Sequence, residues 1–461
     1  MMAGGSLLHL MCVALSAGAW ASSPAITCAS DAVQAGKDDV EASLLQTRAI
    51  ADKAPDTSHA AEQLMAESDR VHAVCVCDCK AHCEWQVELM FYSAQRVGQR
   101  GPITAILTEC TPERRAEVAR RHAHVGLPEH FRLHFFERNF NEPGTHVMNK
   151  PLGVAAWFRE VGPERDVMAI IDPDYLFLKP LTASLQGAAS ALGWPEGPPT
   201  GEVRKGVVVA QRWAEMRTKT ASQEDFHIYD IPMPIKNQTL AKLTPAELRT
   251  WICTGTVSAS SGCTHMTQED HWLYHASGPP MLAHREDWDG WLVDSWRDIT
   301  LRLRLVYKRY FLDMWSWMLA NIHHRQRELL AHTYQYGGPS RYEPWGAVVE
   351  TVSKLDPCEA PMDEVLANPR HATFIHFTWH CDSWNKIWFQ TDPPQVFERC
   401  DTMETAGHFS TFLHEVVDKT NMTLAFTPCV VRRFMAAAVK RSCAGRSAAV
   451  LVDRIRSGFT L

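Results

Sequence analysis

From residue 71 onward the chain alternates short apolar runs with segments of helical periodicity. VHAVCVC (71–77) predicts a first strand, and residues 82–97, carrying Trp85, Leu89, Phe91 and Val97, predict the helix after it. GPITAILTE (101–109) predicts a second strand. The charged stretch ERRAEVARRH after Pro112 predicts a surface helix, and FRLHFF (131–136) alternates like a third strand. NKPLGVAAWFREV (149–161) predicts a helix with Pro151 in its first turn, where a missing N–H costs nothing. Residues 195–205 read as a Pro/Gly loop, GVVVAQRW (206–213) as a strand, and 291–333 as helical with a face rich in Trp, Met and Leu. HATFIHFTWHCD (371–382) predicts a late strand ending in polar residues, and 404–457 is mainly helical in pattern. No internal repeat is visible. Strands and helices in this alternation predict an α/β fold.

DVMAIIDPDYLFLKPL (166–181) is the most informative stretch. An apolar strand runs into Asp172-Pro173-Asp174, and Leu176, Phe177 and Leu178 continue it. Proline lacks the N–H that a central strand needs, so the acidic pair belongs at the strand's carboxyl end. That is where ligands bind in open α/β sheets.

The pattern before residue 71 is different. Leu7 to Trp20 is an apolar run of 14 residues, short of the roughly 20 that span a bilayer core of about 30 Å. Small residues follow it, so 1–21 reads as a secretory signal cleaved near Ala21, or one retained as an anchor. No aromatic residue occurs between Trp20 and Trp85, and 22–70 is rich in Ala, Ser, Asp and Glu. That segment is expected to be a disordered stem. The globular part is expected over 71–400, with a mainly helical extension over 401–461.

Hydrophobic residues at 46% and charged residues at 21% exclude a largely disordered chain. The net charge of −7 and the lack of any long basic run argue against nucleic acid as a partner. Ten of the 16 Trp fall between Trp272 and Trp388, a density that suits either a packed core or an aromatic wall for a sugar or peptide. Fourteen Cys fit an oxidising compartment, and discounting Cys12 leaves an odd number, so at least one thiol is free or pairs between chains. Cys75, Cys77, Cys79 and Cys83 invite a zinc reading, but CxC is not the usual zinc-knuckle spacing. Structural disulfides or buried thiols are expected there instead, with at least one disulfide among the five cysteines from Cys75 to Cys110. Asn237-Gln238-Thr239 and Asn421-Met422-Thr423 are glycosylation sequons open to a secreted chain.

Two carboxylates one residue apart at a strand end suit a divalent cation held against a diphosphate, because Mg²⁺ and Mn²⁺ take few protein carboxylates and fill the rest with phosphate and water. His376, polar in the apolar run Phe374-Ile375-His376-Phe377, is a candidate third ligand as a neutral imidazole, or else a hydrogen-bonded core histidine; His380 and Asp382 are second choices. Asp313 lies on an apolar helix face, where a buried carboxylate needs a partner or a purpose. Phosphatases of the haloacid dehalogenase type also carry DxD after an apolar strand. They need Thr or Val and then Leu close behind it, where this chain has Tyr175-Leu176-Phe177.

Trp85-Gln86, GPITAILTEC (101–110), NKP (149–151), IIDPDYLFLKPL (170–181), DMWSWMLA (313–320) and FIHFTWHCD (374–382) form an ordered series over roughly 70–390. In that order and spacing the chain resembles the plant and algal hydroxyproline O-arabinosyltransferases and their relatives, the peptidyl-serine O-galactosyltransferases. The resemblance implies a GT-A-type nucleotide-sugar-binding sheet flanked by helices, in an enzyme of the secretory pathway (ER or Golgi lumen). It implies Mn²⁺ or Mg²⁺, a UDP-sugar donor, a hydroxyproline- or serine-rich polypeptide acceptor, and transfer with retention of configuration. Membrane attachment is implied only if the N-terminal signal is kept. Carried over by position, Asp172 and Asp174 become the metal and diphosphate site, with His376 on the metal side. Asn149 and Lys150 become nucleotide-sugar contacts, Gly278 part of a glycine-containing loop near the donor sugar, and Asp313 the acidic helix position facing the acceptor. DPD is similar to the arabinosyl branch and GQRGPITAILTEC to the galactosyl branch, which leaves the sugar open. A catalytically inactive relative that binds carbohydrate or peptide is the alternative; it is expected to have lost the acidic pair.

Overall fold

The computed structural model describes residues 57–141, 147–185, 201–212, 237–267, 277–307, 311–326, 328–331, 334–336, 345–376 and 425–441. In chain order the elements are α1 (Thr57–Ser68), β1 (Val71–Asp78), α2 (Ala81–Arg96), β2 (Ile103–Thr108), α3 (Pro112–Val125), β3 (Phe131–Phe135), α4 (Asn149–Glu160), β4 (Val167–Ile170), β5 (Tyr175–Phe177) and β6 (Val208–Arg212). Then follow α5 (Pro245–Thr254), β7 (Ser277–His284), α6 (Val293–Leu303), α7 (Leu312–His323), β8 (Glu328–Ala331), β9 (Gln335–Tyr336), α8 (Trp345–Val352), α9 (Met362–Leu366), β10 (Phe374–His376) and α10 (425–441). The fold is mixed α/β. A seven-stranded sheet runs in the order β3-β2-β1-β4-β7-β6-β8, and a three-stranded sheet in the order β5-β10-β9.

Strands β3, β2, β1 and β4 are mutually parallel, β7 is antiparallel to both its neighbours, and β8 is parallel to β6. Strands β1, β2 and β4 are buried on both faces, with the period of two that a strand imposes, while the edge strand β3 is only partly covered. Val74, Val76, Met168 and Ile170 face a core completed by α4, α6 and α7; Ala73, Cys75, Val167 and Ala169 face one completed by α2 and α3. The chain goes from β1 outward to β2 and β3, then returns to place β4 on the other side of β1. The carboxyl ends of β1 and β4 therefore meet at a topological switch point.

Three expectations change here. Residues 57–68, assigned to the stem, form α1, whose last residue Ser68 accepts the Arg100 N–H on its hydroxyl at 3.0 Å. Gly101 permits that approach: a Cβ there would stand 2.3 Å from the Ser68 carbonyl. Second, the helical reading of 291–333 fails at its end, where β8 adds beside β6. ELLA is apolar enough for either state, and the free edge of β6 decides. Third, α10 is no separate appendage. Phe426, Val430 and Phe434 share a core with Leu89 of α2 and Leu176 and Ile375 of the small sheet, and a disulfide joins Cys358 to Cys429. The signal segment, His380, Asp382 and the Asn421 sequon lie outside the described residues. Among the described residues, no helix is long and apolar enough to cross a membrane.

The cysteine cluster is a pair of staples. Cys77 bonds to Cys83 and Cys79 to Cys110, tying the end of β1 to the first turn of α2 and to the loop after β2; Cys75 is a free, buried thiol. A fourth disulfide joins Cys253 to Cys263. Trp288, Trp296 and Trp317 are fully buried with ring centroids 5.3–6.3 Å apart, so these three form core and no sugar-facing wall.

That aromatic core holds one carboxyl group. Glu328, 1% exposed at the start of β8, accepts a hydrogen bond from the Trp317 indole N–H, and burial pushes its pKa up from 4.5 to about 7. The folded state thus holds this proton more tightly than the unfolded chain. The contribution to stability is full below pH 4.5 and is lost as pH rises through 7. Replacing Glu328 with Gln should leave stability nearly unchanged at pH 4 and raise it at pH 8, by up to about 3 kcal/mol. Denaturant melts at the two pH values measure the difference.

Candidate functional site

The carboxylate pair forms a corner between the two sheets. Ile171 still donates its N–H to the Val74 carbonyl at 2.9 Å, as the last bond beside β1. Pro173 offers no donor, and the Tyr175 N–H turns back to the Asp172 carbonyl at 3.2 Å. Residues 175–177, expected to prolong β4, instead pair antiparallel with β10, so that His376 stands opposite Tyr175. The turn and this register together deliver His376 to the acidic pair: its Nε2 is 3.4 Å from Asp174 Oδ1 and 3.6 Å from Asp172 Oδ2. One donor atom from each of the three residues lies within 4.8 Å of the others.

Two carboxylate oxygens and one imidazole nitrogen fit a divalent cation that accepts mixed oxygen and nitrogen ligands, a set closer to Mn²⁺ than to the all-oxygen preference of Mg²⁺. Asp174 is 2% exposed and His376 4%, whereas Asp172 is only partly buried. The site therefore has a closed side and an open side, with Asp172 on the open one.

Helix α4 brings the next two residues. It lies so close to β1 that a Cβ on Gly153 would come within 3.1 Å of Val76 Cγ1, and this proximity places its first turn at the ends of β1 and β4. The side chain of Asn149 is spent on the scaffold. It accepts the Phe140 N–H at 2.9 Å and donates to Asp78, while its backbone N–H goes to Asn141 Oδ1 at 3.1 Å. Lys150 reaches the cluster itself, with Nζ 2.6 Å from Asp172 Oδ1 and 2.6 Å from Asp313 Oδ2. Burial opposes its charge, but the Asp172 and Asp313 carboxylates outweigh that and hold its ammonium above its ordinary range.

Asp313 sits in the first turn of α7, 3% exposed. Its backbone carbonyl accepts from the Trp296 indole at 2.8 Å and from the Ser316 hydroxyl at 3.0 Å, which fixes that turn. Gly278 lies within β7, paired with Gln211 across a register shift in β6, rather than in a loop as expected. Asp172, Asp174, His376, Lys150 and Asp313 are thus brought together. Asn149 serves the neighbouring loop, and Gly278 stands beside the site through the next residue, Pro279.

Two residues escaped the sequence reading. Tyr175 is fully buried between the sheets, its ring 4.7 Å from that of His376 in edge contact. Its hydroxyl donates to the Pro279 carbonyl at 2.5 Å and lies 2.7 Å from the side-chain amide oxygen of Gln335, which joins β5, β7 and β9 beneath the cluster. Burial, then the Asp172 and Asp174 carboxylates, push this phenol well above its usual range, so it stays a proton donor. The same causes in the same order push the Cys75 thiol up and keep it protonated and inert. Asp78, the last residue of β1, gathers Asn149, Asn141 at 3.4 Å and Lys80 at 3.2 Å. The rule that picked out the end of β4 applied equally to the end of β1 and would have found it.

No protein-family model and no curated protein sequence matches the chain. Among solved structures it is similar to the bifunctional glycosyltransferase WbbM, at 14% identity and a TM-score of 0.36 over 69% of this chain and 47% of that one, so that it spans about half of WbbM's length. It is also similar to the galactosyltransferase LgtC in complex with donor and acceptor sugar analogues, at 11% identity and a TM-score of 0.31 over 69% of this chain and 94% of that one. Likenesses this distant carry no argument about substrate.

Replacing Tyr175 with Phe removes only the hydroxyl and leaves a buried carbonyl and amide without it. Loss of that buried bond should cost about 1–3 kcal/mol. Denaturant unfolding at neutral pH checks it, with circular dichroism expected to show an unchanged fold.

Proposed function

We propose that the chain is a metal-dependent glycosyltransferase that moves arabinose or galactose from a UDP-sugar to hydroxyproline or serine hydroxyls of secretory-pathway polypeptides. The observation that carries this reading is the convergence of Asp172, Asp174 and His376 at the switch point of a parallel sheet. The ordered motifs over 70–390 supply the choice of donor and acceptor. The four disulfides among the described residues support the compartment, since such bonds persist where the environment is oxidising. An inactive relative has no reason to keep two carboxylates and a histidine assembled at a strand end, because like charges this close repel each other.

In the reaction, the bond from the anomeric carbon to the diphosphate breaks, a bond to the acceptor oxygen forms, and the hydroxyl proton passes to the departing diphosphate. When bound, the cation neutralises charge on the departing diphosphate. Asp172 and Asp174 would hold it there, with His376 as the ligand on the buried side. No residue is assigned as a nucleophile, since neither spacing nor motif places one.

The test is turnover of the purified full-length protein with a panel of UDP-sugars and with hydroxyproline- and serine-containing peptides, with and without Mn²⁺. Asp172→Asn and Asp174→Asn keep shape and remove charge. Each should lower turnover at least about 10²-fold, the scale of roughly 3 kcal/mol of transition-state stabilisation. His376→Ala should cost less, since water fills a vacated ligand position. Melting temperatures close to wild type show that the fold survives. Near-normal turnover in both Asp variants would reduce the pair to a turn and remove the physical basis of the proposal.

A further inference from the structure

Lys150 poses a problem for the metal site. Its ammonium already occupies Asp172 Oδ1, an oxygen of the carboxylate whose other oxygen faces His376 and Asp174. A second cation on the same carboxylate must share its charge with the first, and the two cations repel at this distance. A lysine paired with Asp172 alone would therefore weaken the cation site it borders.

Asp313 changes the balance. It stands at the same 2.6 Å from the ammonium as Asp172 does. Its own position is rigid, because Trp296 and Ser316 hold the turn that carries it. Burial works against its negative charge and leaves its pKa above the ordinary carboxylate value, while the Lys150 ammonium and the amino end of α7 favour that charge. Three carboxylates and one ammonium leave two negative charges, which one divalent cation cancels. A side chain only 4% exposed and locked to Lys150 is a poor candidate for direct contact with an acceptor.

We propose that Asp313 is a positioning residue for the cation site: by taking its share of the Lys150 ammonium it keeps Asp172 Oδ2 available to a divalent cation held with Asp174 and His376. This inference rests on the metal-dependent reading above and moves Asp313 from the acceptor side to the cation side. Lys150 is the internal rival of the metal, and Asp313 restrains it.

The measurement is calorimetric titration of the full-length protein with Mn²⁺ alone, without nucleotide or acceptor. Asp313→Asn leaves the ammonium to Asp172 and should weaken Mn²⁺ binding roughly tenfold, the scale seen when a group behind a metal ligand is lost. Lys150→Met removes the rival and should tighten binding. The double variant, Lys150→Met with Asp313→Asn, keeps the same two negative charges as wild type without the rival. It should bind Mn²⁺ at least as well as wild type, and it carries the test if two facing carboxylates prevent the Lys150→Met protein from folding.

A merely structural role predicts the opposite: both single variants weaker, and the double variant no better than Asp313→Asn. That result overturns the proposal, as does unchanged Mn²⁺ affinity in Asp313→Asn with a raised KM for the acceptor peptide. Asp172→Asn separates the two levels. If wild-type Mn²⁺ binding does not depend on Asp172, the metal reading falls and takes this inference with it. If binding depends on Asp172 but the double variant stays weak, only this inference falls.

Discussion

Pro173 interrupts the hydrogen-bond ladder three residues after the end of β4, and much of the candidate site follows from that interruption. The backbone cannot continue in the large sheet, so it turns at Asp172 and pairs with β10 in the small one. Two carboxylates are left on the corner, and a histidine more than two hundred residues later in sequence arrives opposite Tyr175. Had residues 175–177 stayed beside β1, His376 would have no strand to pair with at this point.

The corner is electrostatically expensive, and its surroundings answer that cost with specific groups. Lys150 lies between Asp172 and Asp313, and His376 lies against Asp174. Beneath them Tyr175 spans three strands through its hydroxyl, so the floor of the cluster is a hydrogen-bonded partition rather than a loose apolar layer. At the neighbouring end of β1, two disulfides hold the loop that follows Asp78. Buried charges that share partners respond together to substitution, so the five residues of the cluster are best regarded as one unit.

The parts legible in the sequence were those in which local pattern and local chemistry agree. Strands β1, β2 and β4 announce themselves as apolar runs because both faces of a covered parallel sheet are buried, whereas the edge strand β3 alternates. NKP opens α4 because proline suits a helix's first turn, and DPD marks a strand end because proline cannot serve within a central strand. Where a segment's state depends on what lies beside it, the pattern misleads. ELLA becomes a strand only because β6 has a free edge. Residues 57–68 carry no aromatic signal, and yet the end of the helix they form is anchored on the loop that Gly101 allows to approach. Residues 425–441 read as an extension because nothing in their sequence names α2 and the small sheet as their partners.

For the candidate site, the sequence by itself determined which donor groups are on offer: two acidic residues at a strand's end and a histidine in an apolar run. Tertiary structure alone decided how they combine. Which oxygen of Asp172 faces His376 and which faces Lys150, and whether Asp313 looks toward solvent or toward that lysine, depend on the crossing of α4, α7 and two sheets at one point. These are contacts between residues far apart in the chain. Their energies come from distance and burial in three dimensions, and no local periodicity encodes either quantity.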